Sequence, residues 1–402
     1  MKKIFNKYKE FFKDLLVNTF SFAIYILAQQ LLFMPIMGKM LPERSFANFV
    51  IYSSIFSILT NSLGNELGIT NQVVDTKNDD SKYIKILINI SIIIFIISML
   101  GCYILQYSVF DSVMLSIVMV LANCRLYVSG HFRKNKLFKN VLIQNIFYLL
   151  GIVIGLIVYQ YIKIIFIPSL LAEIISFIYY IKKYNIIKYM NSKEIIDKKI
   201  VKNFSSFSFV SFLGNILTYF DKIIIYPILG SYSVNVYYST STMSKVINMI
   251  INPIHSVLLS WINKGDKNKI KIMIINSIKV SFIFSIIAFF ISIPITYLAV
   301  KLLYNQYIID AQAIIIPVSC ALGFSVGMSI IKSFVMKFLS NKNLVLMYIL
   351  YLIVFIVFSI LMSKQLGLIG FAYSSVIAKV FIYFEFVIAL CIANNKGEFD
   401  EK

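Results

Sequence analysis

Long apolar runs alternate with short polar ones along nearly the whole chain. Twelve runs come close to or exceed the about 20 residues that a helix needs to cross a bilayer. They lie near 15–37, 46–69, 86–106, 112–130, 141–161, 164–181, 204–228, 234–258, 274–300, 311–331, 344–362 and 368–391. No polar stretch between them is long enough to fold as a domain of its own. The longest, 182–203, is a basic connector that separates six runs from six. The pattern predicts an all-α polytopic membrane protein with twelve transmembrane helices. They form two six-helix bundles, 1–181 and 204–402, as a parallel repeat. Ahead of the first run, Ile4, Tyr8, Phe11, Phe12 and Leu15 recur at helical spacing with lysines between them. That predicts a basic amphipathic helix lying on a membrane surface.

The leading helices of both halves carry polar stripes. Asn18, Ser21, Tyr25 and Gln29 recur in steps of three and four, as do Ser208, Ser211, Asn215, Thr218 and Lys222. The second helices repeat the theme with Ser57, Asn61 and Asn65, and with Ser241, Lys245, Asn248 and Asn252. Stripes of this kind avoid lipid, so they face either neighbouring helices or a wet cavity. Their occurrence on four leading helices favours a central polar cavity. Gly151/Gly155 and Gly323/Gly327 have GxxxG spacing and predict close helix packing.

Composition sharpens the picture. The chain of 402 residues is 59% hydrophobic and only 14% charged, which excludes a soluble globular enzyme. The formal net charge of +20 would suggest nucleic acid in a soluble protein. Here it is a topology signal instead. With the N-terminus inside, the outer segments hold only Lys39, Arg44, Lys163, Lys301 and Lys364, and the remaining basic residues outside the spans fall within. This predicts both termini in the cytoplasm and attraction to anionic lipid, with no nucleic-acid partner. No signal-peptide cleavage site follows the first run.

Candidate chemistry rests on charges inside the spans: Glu66, Arg125, Glu173, Asp221, Lys222, Lys245, Lys279, Lys379 and Glu385. Arg125, Glu66 and Lys279 stand toward inner helix ends, where snorkelling competes with function. Lys222, Lys245 and Lys379 lie deeper, where a cluster of cations would attract a phosphate. Asp221 and Glu173 would bind a proton or Na⁺, or else balance nearby lysines. Cys102, Cys124, Cys320 and Cys391 sit in apolar runs with no zinc or disulfide spacing. There is no Walker A loop, no HExxH and no hydrolase triad pattern, so neither an enzyme nor a cofactor is expected. His131 is expected to be solvated in a basic loop, and His255 to pack at a helix end.

Three stretches carry a family resemblance. YFDKIIIYPILGSYSVNVYY at 219–238 pairs Asp221 with a turn glycine, Gly230, and with Tyr237. GLIGFAYSSVIA at 367–378 opens the last helix with small residues, and LPERSFANF at 41–49 forms a short turn. The chain resembles the multidrug/oligosaccharidyl-lipid/polysaccharide exporter superfamily, most of all its polysaccharide flippases of the O-antigen and capsule type. At 41–49 Pro42 or Ser45 replaces the family's usual glycine. The resemblance implies two bundles in a V shape that alternate access. It also implies an undecaprenyl-diphosphate-linked oligosaccharide, moved from the inner to the outer leaflet of the cytoplasmic membrane, and handed to glycan polymerase machinery. Lys222, Lys245, Lys379 and Arg125 would then meet the diphosphate or acidic sugars, and Gln29, Gln30, Asn215 and Asn61 would hydrogen-bond sugars. The rival readings are a multidrug exporter of the same superfamily and an unrelated twelve-helix solute transporter.

Overall fold

The computed structural model describes residues 2–73, 80–184, 198–261, 267–339 and 341–396. Within these, the side chains of 2–12, 15, 244–245, 248–261, 267–270, 333, 336–338, 341 and 394–396 are outside the description. The described residues are almost entirely helical: α1 (Leu16–Met40), α2 (Glu43–Val73), α3 (Asp80–Ile104), α4 (Val109–Lys134), α5 (Phe138–Ile162), α6 (Ile167–Tyr184), α7 (Lys198–Trp261), α8 (Lys267–Leu303), α9 (Ile308–Phe338) and α10 (Asn341–Lys396). The helix of α1 already begins at Lys2, but the side chains of the amphipathic segment lie outside the description.

Nine helical stretches among the described residues are long and apolar enough to cross a membrane. Their outward faces are apolar. Ile92, Ile93, Ile96 and Leu100 of α3 and Phe282, Ile283, Phe290 and Ile291 of α8 are all exposed, as lipid-facing positions must be. The protein is therefore a multi-pass membrane protein.

Two stretches, Lys198–Met243 and Lys342–Ala393, run to 46 and 52 residues, far beyond one crossing. Each contains a glycine that no ordinary helix tolerates: Gly230 at φ 80°, ψ −178°, and Gly367 at φ 57°, ψ −135°. Gly230 is the turn glycine of the resembled 219–238 motif, and Gly367 is the first small residue of the 367–378 stretch. The flanking halves lie side by side. Ser359 and Ser374 share a 3.0 Å hydroxyl contact across Gly367. Lys222 lies over the Tyr237 ring, 5.2 Å from its centroid, across Gly230.

The chain divides into two compact units, Met1–Met37 with Ile51–Tyr219, and Gly38–Val50 with Phe220–Lys402. Small residues set the helix spacing in each. In the first, Gly151 and Gly155 of α5 lie against the backbone of Ala172 and Pro168 of α6, and Gly68 of α2 meets Gly130 of α4. In the second, Gly323 and Gly327 of α9 face the Ser285 and Ser281 carbonyls of α8. Both GxxxG pairs thus serve as close-packing sites.

Arg133 and Lys332 lie inside α4 and α9. One position differs from the expectations above. His131 is not solvated: it lies within α4, its ring 4.2 Å from that of Tyr184, with Nδ1 3.5 Å from Asp80. Helix α4 simply continues past the end of the apolar run, and its last turn packs against α6. His255 has its side chain outside the described residues.

Candidate functional site

In the first unit the polar residues converge on Arg125. Its guanidinium reaches from α4 to Glu173 of α6 in a two-point pair, Nε to Oε2 at 2.9 Å and Nη2 to Oε1 at 3.1 Å. Two rings enclose the cation, Tyr25 of α1 at 5.0 Å and Tyr148 of α5 at 4.6 Å. The Tyr148 hydroxyl donates to Gln29 Oε1 at 2.9 Å, and Gln144 Nε2 donates to the Arg125 carbonyl at 3.2 Å. Arg125 and Glu173 are 2% and 1% exposed, so neither charge reaches water. A pair at such depth needs its full complement of partners, and this one joins four helices. The Arg125 and Glu173 positions, expected to serve substrate and ion separately, are brought together in one contact.

The stripe on α1 is consumed in the same packing. Asn145 Nδ2 of α5 donates to Ser21 Oγ at 2.9 Å and to its carbonyl at 3.0 Å, while Tyr25 packs against Tyr148. Interhelical hydrogen bonding is thus what this stripe does.

Two irregular turns mark the other polar positions. Leu27–Phe33 of α1 and Asn61–Asn65 of α2 are π-helical, with bonds running from i to i+5. Such turns free backbone groups and recur at functional positions in helices. Gln29, Gln30 and Asn61, expected as sugar contacts, all lie in them. Asn215, the fourth, donates to Ser62 Oγ at 3.1 Å. Gly64 allows the second π turn to lie on Asn123 of α4, whose buried side-chain amide has no hydrogen-bond partner among the described residues.

The second unit holds the lysines. Lys222, 1% exposed, pairs through Nζ with the neighbouring Asp221 carboxylate and faces the Tyr237 ring. Lys379 on the last half of α10 lies 5.1 Å from the Tyr351 ring centroid, and no acid among the described residues pairs with it. Lys332 of α9 lies 5.9 Å from the Tyr348 ring. Asp221, Lys222 and Lys332 are all within electrostatic range of Lys379. Phe371 and Phe355 connect the Tyr237 and Tyr351 rings, with centroid steps of 5.2, 5.8 and 6.1 Å. The result is an aromatic-walled group of three cations with one acid. The sequence singled out Lys222, Lys379 and Tyr237 but not Lys332, Tyr348 or Tyr351. The signal was present: Tyr348 and Tyr351 are one helical turn apart, so both reach the same side. Lys245 has its side chain outside the described residues.

No group of three or more His, Cys, Asp or Glu side chains converges among the described residues. What the lysine group can do chemically is hold an anion: ammonium groups against π faces in a dry wall keep their charge available as mobile point donors.

The comparisons with known proteins bear on the family and the fold. Residues 15–265 match the family described as polysaccharide biosynthesis protein. No curated relative matches the chain. Among solved structures, an inward-facing multidrug resistance MATE family transporter of the MOP superfamily is similar at TM-score 0.67 and 12% identity, over 93% of this chain and 95% of that one. An outward-facing transporter of the same description is similar at TM-score 0.65 and 11% identity, over 96% of both chains. The lipid II flippase MurJ in an inward closed conformation is similar at TM-score 0.63 and 15% identity, over 96% of this chain and 88% of that one. These likenesses are of fold.

Proposed function

The chain belongs to the polysaccharide biosynthesis protein family of the exporter superfamily, and from that premise we propose that it is a flippase for a lipid-linked oligosaccharide. Its substrate in this reading is an undecaprenyl-diphosphate-linked repeat unit of an O-antigen or capsule. It is carried from the inner to the outer leaflet of the cytoplasmic membrane by alternating access, and there delivered to glycan polymerase machinery. With each glycine-broken helix counted as two crossings and α6 as one, the architecture is twelve spans. Both termini are then cytoplasmic, and 182–203 connects six spans to six.

The observation that carries this reading is the charge balance around Lys379. Three lysines against one acid leave an excess of positive charge in an aromatic enclosure, which suits a diphosphate. Lys222, Lys379 and Lys332 would hold the diphosphate, with Lys245 on the same helix as Lys222. Gln29, Gln30, Asn61 and Asn215 would bind sugars. A coupling proton or Na⁺ would bind Asp221, whose side chain is 17% exposed, while Glu173 stays held by Arg125. The lipid tail would remain among membrane lipids.

The test is Lys379→Gln in cells that depend on this protein for surface glycan. Loss of glycan, with lipid-linked oligosaccharide accumulating inside and the protein level unchanged, supports the reading. Normal glycan output rejects it. A multidrug exporter is the second reading, favoured by the fold likeness to the MATE transporters. Increased drug susceptibility on deletion, with glycan intact, would select it.

A further inference from the structure

Helix α4 carries a second guanidinium two turns beyond Arg125. Arg125 has its fork fully engaged by Glu173. Arg133 does not. Its Nε is buried with no hydrogen-bond partner among the described residues. No carboxylate among the described residues pairs with it or acts on it. Its guanidinium carbon lies 5.2 Å from the centroid of the Phe22 ring of α1. The neighbouring polar groups of this turn have partners: Lys134 Nζ donates to Asn71 Oδ1 at 2.8 Å, and His131 faces Asp80. Yet the Arg133 side chain is not sealed, being of intermediate exposure.

A buried charged donor without an acceptor is costly in free energy, so a site of this kind favours an incoming acceptor. Phe22 covers one face of the guanidinium, and the Nε–H has no acceptor among the described residues. The guanidinium is planar and forked, the geometry that matches the oxygens of a phosphate. Lys134, Lys136 and Lys139 follow in sequence and add positive field to the same helix end. The helix C-terminus stabilises the cation itself but leaves its donors unused.

We propose that Arg133, stacked on Phe22, is a binding site for a phosphate-type oxyanion at the end of α4, separate from the lysine group of the second unit. The oxyanion has two possible sources, the headgroup of an anionic phospholipid and a diphosphate arriving from solution. The site does not depend on the flippase reading, because binding can be measured without any glycan.

The experiment uses the purified full chain in nanodiscs. Inorganic pyrophosphate is titrated calorimetrically in phosphatidylcholine discs, and bound phosphatidylglycerol is counted by native mass spectrometry from mixed discs. One of the two probes should bind, and Arg133→Gln should weaken it about tenfold or more, with Arg133→Lys intermediate. Lys379→Gln should leave this binding unchanged. Pyrophosphate binding alone identifies a soluble source, and phosphatidylglycerol binding alone a lipid one. Phe22→Leu, which keeps the charge, should weaken binding less than Arg133→Gln and covers the case in which that variant fails to fold. Equal binding of both probes to wild type, Arg133→Gln and Phe22→Leu, or no binding to any of them, overturns the site. Either result would leave the translocation reading untouched.

Discussion

Arg125 and Glu173 form a two-point ion pair at 2.9 and 3.1 Å between α4 and α6, with both side chains almost wholly buried. Removing one partner strands the other charge. Arg125→Met or Glu173→Leu should each destabilise the protein by about 3–5 kcal/mol, and the double variant should recover much of that loss. Thermal unfolding of the purified protein checks this. Additive losses in the double variant would refute the coupling.

The Tyr148 hydroxyl tests a smaller contribution. Tyr148→Phe keeps the ring over Arg125 but removes the bond to Gln29. Stability should fall by only about 0.5–1.5 kcal/mol, whereas Tyr148→Ala, which also removes the ring, should cost several times more.

Gly230 and Gly367 have open space where a Cβ would stand. Substitution by alanine therefore meets backbone strain without a clash. Each should destabilise by about 1–3 kcal/mol, more at Gly230, whose φ and ψ belong to a region essentially reserved for glycine. Protease resistance of the membrane-embedded protein would show the difference.

Gly151→Leu should behave differently, because a side chain there meets the Ala172 backbone. Helices α5 and α6 must separate to admit it. Loss of folded protein in membranes, not a modest shift in unfolding temperature, is the expected outcome.

At the lysine group, Lys379→Arg should retain part of the glycan export that Lys379→Gln abolishes, because charge is kept while the donor geometry changes. Asp221→Asn should lower export and leave folding near normal, since its carboxylate is partly exposed. Surface glycan measured against protein level separates these outcomes.

The polytopic helical character, the turn glycine Gly230 and the close-packing glycines were legible in the sequence, because each is a local pattern: an apolar run, a glycine between runs, a four-residue spacing. Pairings between distant helices were not. Nothing in the residues around Arg125 points to Glu173, 48 positions away. The α1 stripe was read as cavity lining because periodicity shows that a face avoids lipid, without showing whether water or another helix covers it. Lys332 escaped notice because its charge ends an apolar run, although α9 carries it within a helix.

The π turn at Asn61–Asn65 changes what a polar stripe means in α2. Counted in fours, Ser57, Asn61 and Asn65 fall in one straight file. The widened turn slips the phase, and the positions that end up buried are Ser62 and Gly64. Everything after the turn is therefore rotated about the helix axis relative to everything before it. A single inserted residue is the smallest sequence change that can re-aim one half of a membrane helix while leaving the other half seated.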